Sequence, residues 1–235
     1  MTKATTAQRA DAAGRAGQWV YEHSLFLVCM AIFVLCLAGM AISGLQVYND
    51  EQLQHGAAIV PFAEYLTSGH FFEATFENWE SEFLQMGAYV VLTVFLFQKG
   101  SSESKPLGEP TEQDQDPRKV KVNAGTPWPV RKGGFVLVLY ENSLAIFFFL
   151  LFALSFWFHA VSGAVTYSEE QAQHGEPGVG AIEYLGTSQF WFESMQNWQS
   201  EFLAVAAIVG ASVYLRQRGS PESKPVATPH HETGA

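Results

Sequence analysis

The apolar residues of this chain gather into four blocks, each too uniformly apolar to be one face of a soluble helix. Ser24 to Val47 is a run of 24 residues without a charge, and Ser143 to Thr166 is a second such run whose only titratable residue is His159. At about 1.5 Å per residue, either crosses a hydrocarbon core of about 30 Å. Phe83 to Phe97 and Phe202 to Leu215 are shorter, at 15 and 14 residues. They reach spanning length only by extending back through Trp79 and Glu82, or Trp198 and Glu201. The pattern predicts an all-α membrane protein with four transmembrane helices, at about 22–47, 79–98, 141–166 and 198–217.

The polar stretches between the blocks repeat. Shifted by 119 residues, Tyr48-x-x-Glu51-Gln52-x-Gln54-His55-Gly56 falls on Tyr167-x-x-Glu170-Gln171-x-Gln173-His174-Gly175. Without a gap, Asn78-Trp79-x-Ser81-Glu82-Phe83-Leu84 then falls on Asn197-Trp198-x-Ser200-Glu201-Phe202-Leu203. A fixed internal period sets the architecture. It divides the chain into a tail (1–18), repeat 1 (19–98, with its loop at 48–78), a linker (99–133), repeat 2 (134–218, with its loop at 167–197) and a tail (219–235). Two spans per repeat give the copies one orientation, so the fold expected is two parallel tandem repeats with helical or irregular outer loops.

Charge orients this scheme. All 13 Lys and Arg lie in the N-terminal tail, in the linker from Lys99 to Lys132 and from Arg216 to Lys224 at the C-terminal end, and none lies in 48–82 or 167–201. Both termini and the linker are thus expected to be cytoplasmic. Thirteen of the 23 acidic residues fall in those two cation-free stretches, and the net charge is −10. The outer face is strongly anionic, which excludes nucleic acid as a partner and suits cations or basic partners. The linker is rich in Pro, Gln, Asp and Lys and lacks an apolar period, so it reads as at least partly disordered. Cys29 and Cys36 sit on one helix about 10 Å apart, too far for a disulfide, and read as small buried residues.

Four groups of residues carry candidate chemistry. Glu51 and His55, like Glu170 and His174, have the i, i+4 spacing of a cation site, while the following Gly56 and Gly175 equally fit a helix C-terminus. Glu82 and Glu201, with Glu64 and Glu183 in the loops, are symmetric acidic residues near the membrane boundary. They form a candidate cation or proton site, and a divalent cation is compatible with it. Asn78, Trp79 and Ser81, with Asn197, Trp198 and Ser200, read as helix-start and interface anchors, the serines capping nearby amides. Met40 and His159 occupy equivalent positions and could ligate haem, although a lone His in an aromatic helix is more often hydrogen-bonded in the interior. A fifth pattern, the stripe His70, Glu73, Glu77 and Glu80, loses its carboxylates in repeat 2 and reads as a solvated helix face.

No P-loop, nucleophile elbow, His-Glu-x-x-His or Cys-x-x-Cys is present, so the chain is not expected to be an enzyme and needs no cofactor. The repeated loop motif, Glu77–Gln85 and Phe97–Lys105 resemble a family of bacterial membrane proteins labelled a domain of unknown function. That resemblance implies a bacterial cytoplasmic-membrane location and brings no activity or functional residues. The expected function is cation or proton binding or transport by a small membrane protein surrounded by lipid and forming a homo-oligomer or part of a larger complex. The alternative is a non-catalytic scaffold or accessory subunit.

Overall fold

In the computed structural model, residues 17–233 are described. They are helical, with no strand among them, and they divide into two units between Phe71 and Phe72. The first unit contains α1 (Ser24–Gln54), the short α2 (Phe62–Tyr65) and the start of α3 (Gly69–Phe95). The second contains the rest of α3, α4 (Trp128–Lys132), α5 (Gly134–Glu141), α6 (Ser143–Gln173), α7 (Ala181–Tyr184) and α8 (Ser188–Ala211). Helices α1 and α6 are both long and apolar enough to cross a membrane. Most of their large apolar side chains are exposed, as lipid-facing residues would be.

The sequence repeat has a structural counterpart in element boundaries. The starts of α1 and α6 differ by 119 positions, and so do their ends and the bounds of α2 and α7. The repeated His-Gly pair ends each long helix. His55 and His174 are the C-terminal caps, and Gly56 and Gly175 follow at φ +74° and +73°. That left-handed backbone suits glycine and lets the chain turn back. Gly56 N donates to Leu53 O and Ala57 N to Gln52 O, while Gly175 N donates to Ala172 O and Glu176 N to Gln171 O. These are paired Schellman closures, which satisfy carbonyls otherwise left open at a helix end.

Each loop then folds back on its own helix. Asn49 donates to Val60 O and accepts from Val60 N, and at the equivalent position Ser168 bridges both backbone groups of Val179. The latch brings a tyrosine onto a glycine. Tyr65 closes against Gly44 and Tyr184 against Gly163, so closely that a Cβ at either glycine would overlap the tyrosine. At these two positions glycine leaves room for a loop side chain to seat on the helix.

The shorter helices start about ten residues earlier than the sequence suggested. Ser68 Oγ accepts from Phe71 N and Thr187 Oγ1 from Phe190 N, so the capping residues stand here. Ser81 and Ser200 lie inside helices and donate to Asn78 O and Asn197 O, three residues back. Cys29 and Cys36 are exposed, not buried. The linker contains two 3-10 turns, Glu112–Asp114 and Pro117–Lys119, and ion pairs Lys105–Asp114 and Arg118–Glu141. The Lys105 and Thr111 hydrogen bonds hold the Asp114 carboxyl down at about 2.

Beyond α8 the chain makes a compact clasp. Lys224 is 1% exposed and its ammonium donates to the carbonyls of Pro229, His230 and Glu232. Ser101 bonds Ser212, Ser102 donates to Glu222 O and Gly100 N donates to Thr233, tying the start of the linker to this clasp.

Candidate functional site

Within the second unit, α3, α6 and α8 converge on His159. Its side chain is fully buried, and so is that of Glu80 from α3. Nδ1 of His159 lies 3.0 Å from Glu80 Oε2, and Nε2 lies 3.2 Å from Glu193 Oε2 of α8. The ring stacks on Phe190, with centroids 4.7 Å apart.

Every oxygen of the two flanking carboxylates has a partner. Glu80 Oε1 accepts from Ser194 Oγ at 2.8 Å and from Trp198 Nε1 at 3.2 Å. Glu193 Oε2 accepts from Tyr184 at 2.6 Å, and its Oε1 accepts from Gln189 at 2.6 Å. Two further α3 carboxylates complete the cluster. Glu73 Oε1 is 3.4 Å from the Tyr184 hydroxyl, and Glu77 accepts from Asn197. The helical spacing of Glu73, Glu77 and Glu80 puts all three on the face toward α6 and α8.

Proton accounting constrains this arrangement. Two contacts join imidazole nitrogens to carboxylate oxygens, and each needs one proton. A neutral imidazole supplies one. The second must come from the imidazolium form or from a protonated Glu80 or Glu193. With only one proton shared among the three groups, a nitrogen lone pair faces a carboxylate, a repulsive contact.

The groups in the loops and at the helix starts follow the same logic. Burial pushes the Glu73 carboxyl up to about 7, with the charge of Glu193 adding to this and a Thr166 hydrogen bond opposing it. Burial likewise raises Glu77, against the Asn197 hydrogen bond. Burial and then the hydrogen bond to Glu193 push the Tyr184 hydroxyl up. For Glu193, burial acts upward, but the hydrogen bonds from His159, Tyr184 and Gln189 outweigh it and hold the carboxyl below its ordinary value.

The residues expected from the sequence to form a site have other placements. Glu51, His55, Glu64, Glu170, His174 and Glu183 are all exposed. Among the described residues, no side-chain hydrogen bond or ion pair joins Glu51 to His55 or Glu170 to His174; both histidines cap helices, and His55 N donates to Glu51 O as part of its cap. Glu183 accepts from Gly180 N in the first turn of α7. Glu82 is exposed and Glu201 half-buried. Gln85 links the same helices by donating to Glu201 O. Among the described residues, no group of three or more His, Cys, Asp or Glu is arranged to hold a metal ion.

Several expectations are corrected by this geometry. The Glu73, Glu77 and Glu80 stripe is not a solvated face, because Glu80 is fully buried and all three accept hydrogen bonds or sit against polar partners. The haem reading for Met40 and His159 fails at the histidine, where a carboxylate occupies the position an iron would need at either nitrogen. Trp198 and Asn197 are not simple interface anchors, since both bond acidic residues of α3. Asn78, in contrast, is exposed and donates to Ala74 O one turn back.

Residues 16–235 match the family described as a domain of unknown function, DUF6766. The chain belongs to this family. No curated protein and no solved structure matches it. For this DUF6766 chain, therefore, the cluster around His159 is the source of functional inference. Its sequence signal lay in the differences between the repeats. His159 aligns with Met40, Glu80 with Gln199 and Glu193 with Ala74.

Proposed function

We propose that this protein is a multi-pass membrane protein whose His159 cluster binds a proton and couples its release to the separation of α8 from α3 and α6. The observation that carries the reading is the fully buried imidazole with a carboxylate at each nitrogen, at 3.0 and 3.2 Å. An ionisable group within a membrane helix is costly enough to be a functional feature by default. Here no Lys or Arg offsets the four carboxylates. Stability of the closed arrangement therefore depends on bound protons, and loss of one turns an attraction into a repulsion.

The proposed setting is a bacterial cytoplasmic membrane. Four spans in two same-orientation pairs, with the linker and termini cytoplasmic, follow from the apolar blocks and the Lys/Arg distribution. The two long apolar helices support membrane insertion. The acidic outer stretches favour cations, protons included, near the site. Exposed aromatic residues such as Phe147 and Trp157 are open to lipid or to a second copy.

Potentiometric titration of the detergent-purified protein tests the central claim. The wild type should take up one more proton per chain than His159→Gln as pH is lowered through the range in which the cluster titrates. Equal uptake by the two proteins would remove the proton site and leave the scaffold reading in its place.

A further inference from the structure

The cluster is unequal at its two ends. On the side of the loop, Glu193 is the one member of the imidazole triad with access to solvent: its side chain is 15% exposed, against 0% for both His159 and Glu80. Its Oε1 is held by Gln189, an exposed residue in the first turn of α8. Its Oε2 contacts both Tyr184 and His159 Nε2. One carboxylate thus joins a solvent-facing amide to a buried ring.

Toward the linker the surroundings change. Gly87 of α3 lets Phe148 and Phe149 close on the helix, and a Cβ there would meet both at 3.3 Å. Phe152 packs edge-on against Trp198 at 6.1 Å and beside Phe156 at 5.6 Å. Aromatic rings offer a proton no acceptor comparable to a carboxylate, and close packing excludes the water that would carry it.

Building on the proton-binding reading, we propose that Glu193 is the portal through which His159 exchanges protons with water on the loop side, and that the aromatic layer seals the site from the linker side. A proton from loop-side water adds to Oε2 of the Glu193 carboxylate. It then passes to the bare Nε2 of a neutral His159, whose other N–H stays on Glu80. The products are an imidazolium and two carboxylates, so one proton enters and none is lost. The titratable groups facing the ring are Glu80, with Glu73 and Glu77 beyond it on α3, Tyr184 on α7 and Glu193 on α8.

Trp198 supplies an internal reporter, since its indole N–H donates to the carboxylate that holds His159. The experiment uses the full chain in liposomes, with orientation assigned by protease cleavage of the linker. The pH is stepped on one face at a time. The reporter signal is the tryptophan fluorescence of wild type minus that of Trp198→Phe. A response to steps on the loop side, absent for steps on the linker side and slowed at least tenfold in Glu193→Gln, supports the portal. A response to the linker side, or an equal response from both, overturns it while leaving proton binding intact. No response from either side overturns the proton-binding reading, and the portal with it. Because sidedness is read in the wild type, a variant that fails to fold does not spoil the test.

Discussion

Tyr65 and Tyr184 stand at equivalent positions of the two repeats, and both are buried on a helical glycine at the end of a latched loop. Their hydroxyls have different partners. Tyr65 meets His70 Nδ1 at 3.1 Å, whereas Tyr184 bonds Glu193 at 2.6 Å and reaches Glu73 at 3.4 Å. One region is a packed aromatic corner with a neutral-capable partner, and the other is the edge of a charged cluster. The comparison teaches that the duplicated positions carry the scaffold, namely Schellman ends, loop latches and the glycine seats. The buried ionisable groups are concentrated where the copies have diverged.

The strongest way to break the comparison is to erase its central difference. His159→Leu should cost about 3–5 kcal/mol, because it leaves buried carboxylates without their partner. Met40→Leu, at the equivalent position, should cost under about 1.5 kcal/mol. Thermal unfolding of both variants in lipid nanodiscs measures this, and similar losses would refute the asymmetry.

A smaller contrast is expected at the tyrosines. Tyr184→Phe removes a hydrogen bond to a charged group and should cost about 1.5–3 kcal/mol, whereas Tyr65→Phe should cost about 0.5–1.5 kcal/mol. The same unfolding assay checks the order, and a larger loss at Tyr65 would reverse our reading of the two corners.

A third contrast concerns pH. Glu73 has a folded value raised from the ordinary carboxylate range to about 7. Its protonated form is therefore favoured by folding, and this contribution is present at low pH and lost as pH rises through the raised value. The unfolding temperature should fall between about pH 5 and about pH 8, and Glu73→Gln should flatten that fall. An unchanged slope in the variant would place the titrating group elsewhere.

Much of the scaffold was legible in the sequence because it rests on local rules. An uncharged run of 24 residues is a short-range signal, and each long helix was read from one. Yet α1 and α6 run on to Gln54 and Gln173 through stretches expected to be loop, and the His-Gly pair, which fitted either a cation site or a helix end, closes them. The starts of α3 and α8 were missed because the helix continues through polar residues beyond its apolar block, with Ser68 and Thr187 as the caps. The site was missed for a different reason. Requiring agreement between repeats set aside Glu73, Glu77 and Glu80, whose partners Tyr184, Asn197 and His159 lie on other helices at least 79 positions away. Glu193, whose contact with His159 spans 34 positions, has no acidic counterpart in repeat 1. His159 inside an uncharged run and the i, i+4, i+7 spacing of Glu73, Glu77 and Glu80 were the available signal, and only tertiary packing joins them.

The clasp around Lys224 bears on how this face meets a membrane. A sequence count credits that side with Lys224 and Arg216 as free cations. Yet the ammonium is enclosed by three backbone carbonyls, and Arg216 turns its guanidinium onto the carbonyls of Ser212, Val213, Leu215 and Thr228. Burial also pulls the Lys224 ammonium below its ordinary value. Anionic headgroups attract juxtamembrane basic residues by about 1 kcal/mol each only when the charge is near their surface and unspent. The C-terminal side of this protein therefore grips its own backbone, and in the proposed membrane setting attraction to anionic lipid would fall to basic residues outside the clasp, such as Arg218.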